Sequence, residues 1–107
     1  MTTVTAAEVT LDIDAPPAEV FRYLTDPARY VRWMGRYRSS GDMPAGSTRV
    51  TVTLAAEGDR TRLTLRHDNL PSADLAAAHQ VAWDTYLPRL AAAAVGADPG
   101  PDPHGAA

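Results

Sequence analysis

The sequence predicts an α+β domain built, in order, from one strand, two short helices, a loop, a β-hairpin and one long helix. Three observations carry this reading. Val9, Leu11 and Ile13 alternate with Glu8, Thr10, Asp12 and Asp14, the period-2 signature of a half-buried strand. Residues 48–67 hold two alternating segments on either side of Gly58-Asp59. Leu75, His79, Ala82, Trp83, Tyr86, Leu87, Leu90 and Ala94 form one stripe at helical spacing.

Ala15-Pro16-Pro17 stops the first strand, and Pro17 suits the first turn of a helix, where a missing N–H costs nothing. Val20, Phe21 and Leu24 share one face of that helix. Asp26-Pro27 restarts the chain as a second helix, with Asp26 as N-cap and Pro27 at the first helical position. This short helix carries Tyr30, Val31, Trp33 and Met34, and Gly35 ends it. Residues 36–47 have no clear period and read as loop, with room for one short edge strand near Arg36 to Ser39.

The hairpin is the most legible segment. With Gly58-Asp59 as a two-residue turn, Leu54 faces Leu63, Val52 faces Leu65 and Val50 faces His67. On the other side Thr53 meets Thr64, and Glu57 meets Arg60 beside the turn. One register satisfies both faces, and a one-residue slip would bury the arginines. Glycine at the first turn position suits type II′ geometry, which needs positive φ there.

Asn69-Leu70-Pro71 connects to the long helix, with Ser72 as N-cap and Asp74 near the positive helix end. The helix runs from about Ala73 to Val95, and Gly96 stops it. Pro88 falls inside it, and is expected to remove one backbone bond and bend the helix, at a cost of about 3 kcal/mol in a generic interior. Residues 1–96 make one domain. Residues 97–107, rich in proline, glycine and aspartate, have the composition of a disordered tail.

Composition narrows the function. A net charge of −3 argues against a nucleic-acid partner. All ten basic residues are arginine, and there is no cysteine, which removes disulfides, thiolate nucleophiles and cysteine-bound metals. No apolar run reaches membrane-spanning length and no signal pattern opens the chain, so a cytoplasmic location without membrane contact is expected. Arg49, Arg60, Arg62 and Arg66 read as a solvated outer sheet face, with an acidic partner as the other reading. No phosphate loop, nucleophile elbow or Ser/His/Asp arrangement occurs. His67 and His79, without a carboxylate at fixed spacing, do not make a metal signal, so neither metal nor cofactor is expected. His79 has two readings: a polar handle or general base inside a cavity, or a structural residue with a satisfied hydrogen bond.

Three segments in order resemble one known superfamily. They are Ile13-Asp14-Ala15-Pro16-Pro17 running into Val20-Phe21 and Leu24-Thr25-Asp26-Pro27; Pro44-Ala45-Gly46-Ser47-Thr48-Arg49-Val50 with Thr61-Arg62-Leu63-Thr64-Leu65-Arg66-His67; and His79-Gln80-Val81-Ala82-Trp83 followed by Tyr86-Leu87 and Leu90. The chain resembles the START/Bet v 1-like (SRPBCC) superfamily, in the branch of heat-shock-protein ATPase activator homologues. The resemblance implies a reduced helix-grip fold, a small antiparallel sheet on the long C-terminal helix. Its strand order would be Ser47–Ala56, Arg60–His67, Val4–Asp14, that is third, last, first. It also implies a cavity for a small apolar or amphipathic molecule. Phe21, Leu24, Trp33, Val52, Leu63, Leu65, His79, Trp83, Tyr86 and Leu87 are the residues expected to line it.

The strands that usually follow the second short helix are missing between Met34 and Pro44. Their loss opens the cavity and leaves strand edges without partners, which invites pairing with another chain. A homodimer is therefore expected, by edge pairing or by packing of apolar faces; the alternative is a monomer whose loop from Arg36 to Ala45 covers the gap. Four functional expectations follow: a non-enzymatic binding domain for an apolar molecule, a protein-interaction module like the co-chaperone relatives, a polyketide cyclase or aromatase-like enzyme, or a deletion remnant without independent function.

Overall fold

A computed structural model describes residues 5–34 and 48–101 of the chain. Six elements follow in order: β1 (Ala7–Ile13), α1 (Pro17–Thr25), α2 (Pro27–Met34), β2 (Arg49–Glu57), β3 (Arg60–Asp68) and α3 (Ala73–Ala94). The strands form one antiparallel sheet in the order β1-β3-β2, the order expected from the resemblance. The expected edge strand near Arg36 and the helix stop at Gly35 lie outside the described residues.

The hairpin takes the register its side chains demand. Leu54 pairs with Leu63, Val52 with Leu65, Val50 with His67, Thr53 with Thr64 and Glu57 with Arg60. Gly58 has φ +63° while Asp59 has no positive φ, the φ pattern of a type II′ turn. On the other side of β3, Val9 pairs with Leu65 and Leu11 with Leu63. β3 is thus sandwiched between two strands, and its inward residues Thr61, Leu63, Leu65 and His67 are all buried. Its outward arginines meet acids from both neighbours: Arg62 bridges Asp12 and Glu57, each at 3.1 Å, and Arg66 bridges Glu8 at 3.1 Å and Asp68 at 2.7 Å. These pairs are half exposed and contribute little individually; their sign pattern holds the polar face outward.

The helices start and stop where the chemistry says. Asp26 accepts a bond from the Ala28 N–H at 3.0 Å and its carbonyl takes those of Arg29 and Tyr30. Ser72 Oγ accepts from the Leu75 N–H at 3.1 Å. At the far end of α3, Gly96 (φ +83°) donates to Ala93 and Ala97 donates to Ala92, the paired bonds of a Schellman motif. α3 continues through Pro88, which is exposed, so water can serve the carbonyl that proline leaves without an N–H.

The main core cluster holds Ile13 of β1, Val20 and Tyr23 of α1, Trp33 and Met34 of α2, Leu63 and Leu65 of β3, and Tyr86, Leu87 and Leu90 of α3; a smaller one holds Ala7, Leu70 and Ala76. Two buried polar bonds fix the layers. Trp33 Nε1 donates to the Tyr23 carbonyl at 2.8 Å, locking α2 to α1, and Thr61 Oγ1 donates to the Ala15 carbonyl at 2.7 Å, locking β3 to the β1–α1 turn.

Three details bear on these expectations. On α1, Val20 and Tyr23 are buried, Leu24 is half-buried against the core and Phe21 is 57% exposed. The outer edge of β1 is partnered at one residue. Gln80 of α3 accepts from the Glu8 N–H and donates to the Glu8 carbonyl, both at 2.9 Å, so one amide side chain mimics a neighbouring strand. Residues 97–101 are irregular but held. Arg89 donates to the carbonyls of Pro99, Gly100 and Pro101 at 2.9–3.0 Å and, through Nε, to the Trp33 carbonyl at the end of α2.

Thr61 offers a direct check of the layer lock. Thr61→Val keeps the shape but strands the Ala15 carbonyl, so urea unfolding should show a loss of about 1–3 kcal/mol; an unchanged midpoint would remove this bond from the account.

Candidate functional site

Between α1, α2, the inward face of β2 and the middle of α3 lies an open apolar concavity of about 470 Å³, within the range of small-molecule sites. Phe21 and Leu24 come from α1, Tyr30 and Trp33 from α2, Val50, Val52 and Leu54 from β2, Leu65 from β3 and Trp83 from α3. Each is placed by the local logic above. The period of 2 on β2 sends its even-numbered residues to the inner face. On α2 the i, i+3 spacing brings Tyr30 and Trp33 together at 5.1 Å, edge to face. Phe21 and Val50, 57% and 46% exposed, stand at the mouth. Leaving such large apolar surface in water is costly, at about 25 cal/mol per Å².

Of the ten residues expected to line a cavity, the structure brings six together here: Phe21, Leu24, Trp33, Val52, Leu65 and Trp83. Leu63, Tyr86 and Leu87 are buried in the core instead, because β3 is the central strand and α3 lies over it. His79 sits one helical turn before Trp83, beside the concavity rather than in its wall. Tyr30, Val50 and Leu54 also line it, outside those ten. The signal for Val50 and Leu54 was present, since they alternate with Val52; the signal for Tyr30 was its i, i+3 spacing to Trp33.

Behind Trp83 is a small polar network. Trp83 Nε1 donates to His67 Nδ1 at 3.2 Å, and His67 Nε2 lies 3.0 Å from Thr48 Oγ1. Indole N–H only donates, so His67 must accept at Nδ1 and carry its proton at Nε2, toward Thr48. His79 Nδ1 lies 2.8 Å from the Leu75 carbonyl, which only accepts, so His79 carries a proton at Nδ1. The two imidazoles meet edge to face at 4.9 Å. Burial, and then the neighbouring His79, hold the His67 pKa below the ordinary imidazole value, with Asp68 opposing. Burial also pushes the Tyr30 hydroxyl up. Both His67 nitrogens are therefore committed to holding Trp83 and Thr48. Among the described residues no group of three metal-ligating side chains converges, and no helix is long and apolar enough to cross a membrane.

The lowered His67 pKa fixes the sign of a pH effect. The unfolded chain binds this proton more readily than the folded one, so stability rises with pH. The contribution is complete above the unfolded value of about 6.5 and is lost as pH falls toward the folded value. Urea unfolding of the native chain should weaken from roughly pH 7.5 to 5, and His67→Asn should flatten that slope. Parallel slopes for the two proteins would show that His67 is not the group responsible.

Comparison with known proteins agrees with this geometry. A model of the family described as polyketide cyclase / dehydrase and lipid transport matches residues 4–85. An AHSA1-like protein of Rhizobium etli, solved by solution NMR, superposes with a TM-score of 0.71 at 30% identity, over 97% of this chain and 92% of that one. That protein runs over residues 1–152, so the difference in length falls inside the matched span, as an internal loss would place it. DynU16, a protein of the dynemicin biosynthetic locus, shares the fold with a TM-score of 0.67 at 19% identity; the match covers 94% of this chain and 51% of DynU16. No curated protein matches the chain. The chain belongs to the polyketide cyclase / dehydrase and lipid transport family of the SRPBCC superfamily, in its AHSA1-like branch.

Proposed function

We propose that this chain is a non-enzymatic domain that binds a small apolar or amphipathic molecule in the concavity between α1, α2, β2 and α3, and that it works as a homodimer. The observation that carries the binding reading is the lining itself: nine residues, all aliphatic or aromatic, with Phe21 and Val50 held half exposed at the mouth.

The chemistry of the lining favours binding over catalysis. Acid–base catalysis needs a group within hydrogen-bond reach of the substrate, with a pKa near the working pH. The lining offers the Tyr30 hydroxyl, whose pKa is raised, and an indole N–H already given to His67. The concavity is also open, and water exclusion is part of the chemistry a cyclase performs. An amphipathic ligand fits the same shape, with its apolar part on Val52, Leu65 and Trp83 and its polar end at the mouth.

Titration with the apolar fluorophore anilinonaphthalene sulfonate tests this, because Trp33 and Trp83 report its arrival. Saturable binding with quenching of tryptophan emission is expected. Phe21→Ala, at an exposed position, should leave the fold intact and weaken binding severalfold. Absence of saturable binding, or binding that Phe21→Ala and Val52→Asp both leave unchanged, would contradict the proposal.

A further inference from the structure

The two edges of the sheet differ at one point. On β1 the outward backbone groups of Glu8 are taken by Gln80. On β2 no described residue other than those of β3 pairs with the backbone. The direction of the β2 groups follows from two independent facts. Glu8 turns its N–H and C=O away from β3, so its partner Arg66 must turn toward β2, and Thr51 opposite Arg66 must turn back toward β3. Glu57 and Arg60 flank a two-residue turn and so bond to each other. Both place the odd-numbered residues of β2 against β3 and leave Val50, Val52, Leu54 and Ala56 with outward N–H and C=O groups.

We infer that β2 pairs with β2 of a second copy of this chain, antiparallel, about a two-fold axis through Thr53. Three features select this register. It overlaps the strand over its full length, Arg49–Glu57. It sets Arg49 opposite Glu57 of the second copy, and the reverse, so each end of the ribbon closes on opposite charges. It matches the parity of the outward groups, pairing Val50 with Ala56 and Val52 with Leu54, each twice by symmetry. A centre at Val52 or Leu54 keeps the parity but loses the charge pairing and leaves strand ends unmatched.

The consequence reaches the site. A two-fold perpendicular to the sheet keeps both inner faces on one side. Val52 of each copy then lies beside Leu54 of the other, and the two apolar concavities share one floor across the junction. The second copy supplies at the open side of each concavity the wall that the absent central strands would have built. The pairing itself does not depend on ligand binding; only this consequence rests on the proposed binding role.

The chain has no cysteine, so single cysteines report the register cleanly. Thr53 faces outward and is exposed. Across the axis it would meet its own copy as a non-hydrogen-bonded pair with Cα atoms ~4.5 Å apart, a separation a disulfide accepts. T53C should therefore cross-link rapidly under mild oxidation. T51C alone and A55C alone should not, while an equimolar mixture of T51C and A55C should. R49E should weaken association severalfold, and adding E57R should restore it. A monomer by sedimentation equilibrium at high micromolar concentration would overturn the inference, as would a dimer in which T53C cross-links no faster than T51C. A monomer that still binds the fluorophore saturably would overturn this pairing and leave the binding role standing.

Discussion

Everything else in this molecule depends on β3 being the central strand with its inward face sealed under α3. Leu63 and Leu65 are buried in the same cluster as Leu87 and Leu90, and burying such a side chain fully is worth about 1.5–3 kcal/mol. That seal fixes which face of the sheet is inward. It therefore fixes that Val50, Val52 and Leu54 look into a concavity while Thr51 and Thr53 look at solvent. It also fixes the edges. Among the described residues β3 is the middle of three strands, so β1 and β2 each carry an outward row of backbone groups.

The two rows are handled by different means, and the difference follows from where α3 lies. The helix packs across β1, close enough for Gln80 to reach Glu8. It does not cover β2, which instead carries half-exposed apolar residues inward and opposite charges at its two ends.

Most of the fold was legible because the sequence is locally consistent. The hairpin register followed from Val and Leu alternating with Thr and Arg about one glycine. The helix ends followed from Asp26, Ser72 and Gly96, each doing by side chain or backbone freedom what its type allows. The site was legible only in part. Period and hydrophobicity mark residues that face inward, but they do not separate a wall from a core. Leu63, Tyr86 and Leu87 have the same character as Val52 and Trp83, and only the position of β3 under α3 sends the first set to full burial. Tertiary polar contacts were not legible at all. Nothing local announces that Gln80 will serve β1 some seventy residues earlier, or that Arg89 will gather carbonyls from α2 and from residues 99–101.

Residue-level amide hydrogen exchange along β2, at low and at high protein concentration, tests this picture most directly. Dilute protein should show alternation, with Thr51, Thr53 and Ala55 slow and Val50, Val52, Leu54 and Ala56 fast, and raising the concentration should slow the second group. Uniform protection along β2 in dilute protein, or alternation of the opposite phase, would contradict the placement of β2 as an open edge beside a central β3.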